Sequence, residues 1–197
     1  MSLNLILNQN CDPVTYVQVM HLLEKVLKRK RSALAIHINE AAGLMWSGQF
    51  TDALALTEPL RKYKLSVNYQ ISLLNIRFNC YKKMEDLEKA MQVKHEAEVL
   101  VSSFTKASKQ KTGQELLNVM NASLALWRGD HETFRRMEEA RSAGYTAKLQ
   151  KVVSAVCLAD VDIACNELKN ARTHLETLYV VEDARHMLAE LAQKEQG

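Results

Sequence analysis

The sequence predicts an all-α fold, a solenoid of about ten helices stacked as antiparallel hairpins. Three observations predict it. A tryptophan and a glycine stand twice in the same turn-like setting, Leu44-Met45-Trp46-Ser47-Gly48-Gln49-Phe50 and Ala125-Leu126-Trp127-Arg128-Gly129-Asp130-His131, 81 positions apart with apolar helical runs on both sides. A degenerate copy, Cys80-Tyr81-Lys82-Lys83-Met84-Glu85-Asp86-Leu87, lies between them, and an echo at roughly 35–45 residues is the signature of helical-hairpin repeats. The chain also holds only 6 Gly and 2 Pro among 197 residues, too few for the many tight turns of an all-β fold.

The elements follow in order. Asp12 and Pro13 mark the first helix start, because Asp caps free N–H groups and Pro lacks the N–H that would be unpaired there. Val14, Val17, Met20, Leu23, Val26 and Leu27 then recur at helical spacing, and Lys28-Arg29-Lys30-Arg31 closes the helix at the negative end of its dipole. A second helix runs from Ser32 to Trp46 and is broken by Gly48. A third starts near Phe50 and is shortened or kinked by Pro59, whose ring clashes with the preceding turn. Leu60 to Tyr63 forms a last, distorted turn. Val67 to Tyr81 and Glu85 to Phe104 are the next two helices. Residues 105–113, from Thr105 to Gly113, are polar, basic and aperiodic, and read as a mobile loop. Gln114 to Trp127 is helical, and Asp130 caps a helix that reaches Ala143 and ends at Gly144. Ala147 to Leu158 and Ile163 to Tyr179 make a fourth hairpin turning near Val161-Asp162-Ile163, and Val181 to Gln193 is the final helix. Short loops make sequential helices antiparallel.

Composition bounds the class. With 47% hydrophobic and 25% charged residues, the chain can bury a sizeable core, and its length suits one domain over 1–197. A net charge of +3 with both signs intermixed gives no charge-based reason for nucleic-acid binding. Cys11, Cys80, Cys157 and Cys165 lack Cys-x-x-Cys spacing and read as reduced thiols in or beside apolar runs, which points to the cytoplasm. The run Leu3 to Leu7 is too short for a secretion signal, and no stretch nears 18 uninterrupted apolar residues, so no membrane-spanning helix is expected. An anchor removed from ahead of Met1-Ser2-Leu3 would instead place the protein on the cytoplasmic face of a membrane.

The hairpins resemble the tetratricopeptide repeat (TPR) superfamily. The resemblance rests on Gly48, Phe50 and Ala53, which match Gly-x-aromatic-x-x-Ala, and on Ala41 and Leu44, which match the small and large packing positions of the first helix. The second echo keeps Gly129 but has His131 and Phe134 where an aromatic and an alanine are expected. The middle copy has Glu85 in place of glycine while Leu87 and Ala90 fit. The resemblance implies a right-handed solenoid with repeats over 32–180, capped by helices within 13–31 and 181–197.

No phosphate-binding glycine loop, Gly-x-Ser-x-Gly or His-Glu-x-x-His occurs. His21, His37, His95, His131, His174 and His186 are isolated from one another, and acid pairs such as Glu138-Glu139 read as solvated helix faces. The expectation is a non-enzymatic protein with no metal or other cofactor. The resemblance implies that the first helix of each hairpin lines a concave face on which a peptide or partner helix lies. In that register the partner-binding residues are Asn39, Trp46, Asn75, Asn79 and Lys82, with Asn75 and Asn79 one turn apart and suited to hydrogen-bond an extended backbone. The positions that form a carboxylate clamp in chaperone-binding relatives hold Ala35, Ile38, Ser72, Leu116 and Met120, so no such clamp is expected. Trp46 and Trp127 are read as core residues sealing the hairpin ends, with exposure in the groove as the alternative. Lys25, Lys28, Arg29, Lys30 and Arg31 form a basic patch, read as a solvated helix end or as a contact to an anionic membrane. A peptide-sensing regulatory domain and a membrane-peripheral scaffold are the rival readings, and an apolar convex patch would make a homodimer.

Overall fold

The computed structural model describes residues 3–26 and 30–176, with side chains described for 6–26 and 33–176. Among the described residues there are ten helices and no strand: α1 Leu3–Asn8, α2 Pro13–Val26, α3 Lys30–Trp46, α4 Phe50–Leu60, α5 Val67–Lys83, α6 Leu87–Ser102, α7 Ala107–Trp127, α8 His131–Ser142, α9 Lys148–Ala164 and α10 Leu168–Glu176. They form two compact units, divided within α7 after Asn121, with Asn8–Asn10 grouped in the second. The predicted final helix, Val181 to Gln193, lies outside the described residues.

Four hairpins, α3/α4, α5/α6, α7/α8 and α9/α10, turn in the same way. The first helix ends two residues before a residue of positive φ and the second begins two residues after it: Gly48 at 81°, Glu85 at 61°, Gly129 at 74° and Asn166 at 61°. These residues are spaced by 37, 44 and 37 positions. In each turn the left-handed residue donates its N–H to the carbonyl three residues back, and the following residue donates to the carbonyl five residues back. All eight bonds lie between 2.7 and 3.2 Å, and they satisfy carbonyls that the helix end would leave unpaired. Asp86 and Asp130 then cap the next helix, accepting from the N–H groups of Lys89 and Thr133 at 3.0 and 3.1 Å.

The packing around each turn is equally regular. Seven residues before the left-handed position stand Ala41, Phe78, Ala122 and Ala159; five residues after it stand Ala53, Ala90, Phe134 and Ala171, all buried. Ala41 and Ala53 share one core cluster, Ala122 and Phe134 a second, and Ala159 and Ala171 a third. Phe134, a departure from the repeat by sequence, belongs to the same cluster as Ala122, so the large residue on one helix meets a small one on the other. In the unit that includes α2 to α6, the core runs through Val17, Ile38, Leu44, Met45, Leu60, Leu73, Ile76 and Cys80. The other unit packs Phe134, Leu158 and Val161 in one cluster and Leu175 with its alanines in another.

Several expectations are corrected. Residues 107–113 are the start of α7, not a loop. Gln110 Nε2 donates to the Phe104 carbonyl at 2.8 Å and Thr112 Oγ1 to the Ser108 carbonyl at 3.1 Å, so the polar side chains serve the helix. Gly113 is buried because Val101 and Phe104 press on it: an added Cβ would meet Val101 Cγ2 at 2.6 Å. The fourth turn falls at Cys165-Asn166-Glu167, three or four residues beyond its predicted place, because Asn166 takes the left-handed role that glycine takes elsewhere. Lys30 and Arg31 open α3 rather than close the helix before it. Pro59 does shorten α4, which stops at Leu60, and Arg61, Lys62 and Tyr63 donate to Glu58, Pro59 and Leu60 carbonyls in the tight distorted turn expected there. Trp46 is 41% exposed and so is not a core residue, while Trp127 is half-buried. On α2 the buried face is Tyr16, Val17 and Met20, which leaves Val14 and Val26 outward.

Candidate functional site

In the first unit, α3 is packed on two sides. Gly43 meets Tyr16 and Val17 of α2, and Ile38, Ala41, Leu44 and Met45 face the core shared with α4 and α5. Ala35, Asn39, Ala42 and Trp46 recur at three- and four-residue steps and so make one stripe, whose Ala42 still packs against that core. They run from half-buried at Ala35, Asn39 and Ala42 to exposed at Trp46. On α5 the buried set is Leu73, Leu74, Ile76, Arg77, Phe78 and Cys80, and the opposite stripe carries Asn75, Asn79 and Lys82, all half-buried. Asn39, Trp46, Asn75, Asn79 and Lys82 thus lie on helix stripes turned away from the buried sets, whereas Met45, an inward position of the same repeat register, is in the core.

The asparagines do not both reach outward. Asn79 Nδ2 donates to the Asn75 carbonyl at 2.9 Å and to Asn75 Oδ1 at 3.1 Å. The amide donor of Asn79 is therefore spent within α5, a correction to the expectation that both amides bond a peptide backbone. Beyond these stripes, Met84 and Leu87 beside the α5/α6 turn are 46% and 42% exposed, apolar surface that the periodicity had not flagged.

The basic patch is divided. Lys25 is exposed in the last turn of α2, Lys28 and Arg29 lie outside the described residues, and Lys30 and Arg31 are placed in the first turn of α3 by backbone alone. Near it, α2 and α3 are tied by two reciprocal pairs, His21 with Glu40 and Glu24 with His37. Further along this unit Arg77, buried on α5, makes a two-pronged pair with Glu96 of α6 at 2.6 and 3.2 Å, and Arg61 adds a longer contact at 3.5 Å. Burial opposes charge on Glu96, but the hydrogen bond and charge of Arg77, with the charge of Arg61, hold its carboxyl below the usual range. The arginine–glutamate contacts are ion pairs that staple helices.

The second unit holds a polar cleft of about 250 Å³ that sequence reading missed. Arg135 and Glu139 come from α8, Asp162 from α9, Glu167 from the fourth turn and His174 from α10; Asn170 and Thr173 complete the lining. Asp162 is 2% exposed. Arg135 Nη2 donates to Asp162 Oδ1 at 2.7 Å and lies 3.3 Å from Glu167 Oε2. Burial opposes charge on Arg135, yet its hydrogen bond to Asp162 and the charges of Asp162 and Glu167 raise its pKa. Asp162 Oδ2 accepts no hydrogen bond among the described residues, although His174 Nε2 stands 3.4 Å away. Sequence gave little warning because residues 135, 162 and 174 converge only once α9 runs on to Ala164 and α10 folds back. Beside the cleft's unit core, buried Glu138 accepts from Arg141 Nη1 at 2.7 Å and from the Tyr145 hydroxyl at 3.1 Å.

Among the described residues, no group of three His, Cys, Asp or Glu side chains is arranged to hold a metal ion, and no helix is long and apolar enough to cross a membrane. Compared with known proteins, the chain matches no family model, no curated protein and no solved structure.

Proposed function

We propose that the chain is a TPR-like protein-interaction module that holds a peptide or partner helix on the α3/α5 face of its first unit, without catalysis. One observation carries the reading. Trp46 is 41% exposed on a stripe of α3 turned away from α2 and, at Asn39 and Trp46, from the core. Exposed tryptophan offers a large rigid apolar surface with one polar N–H, the kind of group that dominates partner binding. Asn39, two turns away on the same stripe, and Asn75 and Lys82 on α5 supply polar contacts around it. The four repeated turns support a right-handed solenoid, the architecture in which such stripes line a concave face.

The test replaces Trp127 by Phe, incorporates 7-azatryptophan at position 46 so that its emission is distinct from that of ordinary tryptophan, and follows it while purified chain meets proteins captured from its own cell extract. A captured partner should shift the Trp46 emission to shorter wavelength, and Trp46→Ala and Lys82→Glu variants should lose that partner while keeping wild-type helical content. If both folded variants retain every protein that the wild type retains, this face is not the binding surface.

A further inference from the structure

We propose that the polar cleft of the second unit is a subsite for one basic head group, the ammonium or guanidinium of a lysine or arginine side chain on a partner peptide. The carboxylates of Glu139, Asp162 and Glu167 line it against the guanidinium of Arg135, so the recess stays acidic whatever the charge of His174. A recess lined by an excess of one sign focuses the field on a counter-charge.

A second observation asks for a donor. Asp162 is 2% exposed, its Oδ1 is held by Arg135, and its Oδ2 accepts no hydrogen bond among the described residues. Buried carboxylate oxygens nearly always have a donor, and lacking one is costly. His174 Nε2, 3.4 Å away, is too distant for a good hydrogen bond, and its side chain is 32% exposed near the end of α10. That ring is the group that swings aside as the cation enters. A metal ion fits poorly here, because among the described residues no three His, Cys, Asp or Glu side chains are arranged to hold one. An organic cation instead brings several directional N–H donors, one for Oδ2 and others for the rim carboxylates of Glu139 and Glu167. The volume of about 250 Å³ suits a side-chain head.

The test is an NMR titration of the ¹⁵N-labelled full chain with capped arginine, capped lysine, capped citrulline and free putrescine. Capped arginine and lysine should give saturable shifts at the amides of Asn170, Thr173 and His174, and citrulline, the uncharged isostere, should give none. Asp162→Asn should abolish the shifts. Because that variant disturbs a buried ion pair, Glu139→Lys, an exposed change with the fold checked by circular dichroism, should weaken binding by about tenfold or more. Equal shifts with citrulline, no saturation with either cation, or unchanged affinity in folded Glu139→Lys would overturn the proposal. Saturation by putrescine at lower concentration than by the capped residues would make a free amine the ligand and overturn the peptide source.

Discussion

Gly48 and Glu85 occupy the same turn position with the same left-handed backbone, at φ 81° and 61°, and exchanging their character should move stability in opposite directions. An added Cβ at Gly48 meets nothing within 4 Å, so Gly48→Ala introduces no clash and isolates backbone strain. A non-glycine residue in this region costs about 1–2 kcal/mol. Alanine also lowers the entropy of the unfolded chain, which returns about 0.4–1 kcal/mol. The net expectation is a loss of about 1 kcal/mol for Gly48→Ala. Glu85→Gly relieves the same strain and incurs the same entropy, so it should gain a similar or slightly smaller amount. Urea unfolding followed by far-UV circular dichroism resolves these differences as opposite shifts of the midpoint at constant slope. A neutral Gly48→Ala together with a destabilising Glu85→Gly would refute the equivalence of the two turns.

Three further outcomes follow from the packing and the ion pairs. Gly113→Ala should destabilise by about 1 kcal/mol net, because overpacking against Val101 and Phe104 costs about 1–3 kcal/mol while the helix propensity of alanine returns about 1 kcal/mol; urea unfolding checks it, and a stabilised variant would contradict the close contact. Glu96 has a carboxyl held below its ordinary value in the folded state, so its contribution is present above the unfolded carboxylate range, near pH 4.5, and is lost as pH falls through the lower folded value. Glu96→Gln should therefore flatten the acid limb of the stability profile below about pH 5, by less than about 1 kcal/mol because this side chain is 38% exposed; an unchanged acid limb would count against the Arg77–Glu96 staple. Burial pushes the Cys80 thiol up to about 12, whereas Cys165 is exposed, so a thiol reagent at pH 8 should label Cys165 in the native protein and Cys80 only on unfolding, read by mass spectrometry of peptides.

The legible part of the fold was the part written in glycine, proline and apolar spacing. Gly48 and Gly129 located two turns, Pro59 ended α4, and Asp130 capped α8, because each of those residues restricts or satisfies its own backbone. Glu85 and Asn166 hold the same left-handed geometry without glycine, so the second turn looked degenerate and the fourth was placed too early. Gly113 misled in the other sense: its missing Cβ serves close packing inside a helix, and local sequence does not distinguish that use from a break. Asn39 and Trp46 on α3 and Asn75, Asn79 and Lys82 on α5 were named from the register that the TPR resemblance implies, and they lie off the buried sets of those helices. The Asn79 to Asn75 bond was not legible, because a side chain that folds back on its own helix leaves no periodic mark. The cleft around Asp162 was hidden for a further reason. Its charged residues come from three helices and a turn, and each one alone resembles a solvated helix face.

Four hairpins are closed by one left-handed turn repeated at 48, 85, 129 and 166, and at Glu85 and Asn166 a residue other than glycine takes it. Measuring the three-bond HN–Hα and one-bond Cα–Hα couplings of those two residues in the labelled full chain tests it most directly. Couplings of the positive-φ class at both, alongside helical values at their neighbours Lys83 and Ala164, are the predicted result. Helical or extended couplings at Glu85 or Asn166 would contradict the repeat, and with it the register from which Trp46, Asn39, Asn75 and Lys82 are proposed as a binding face.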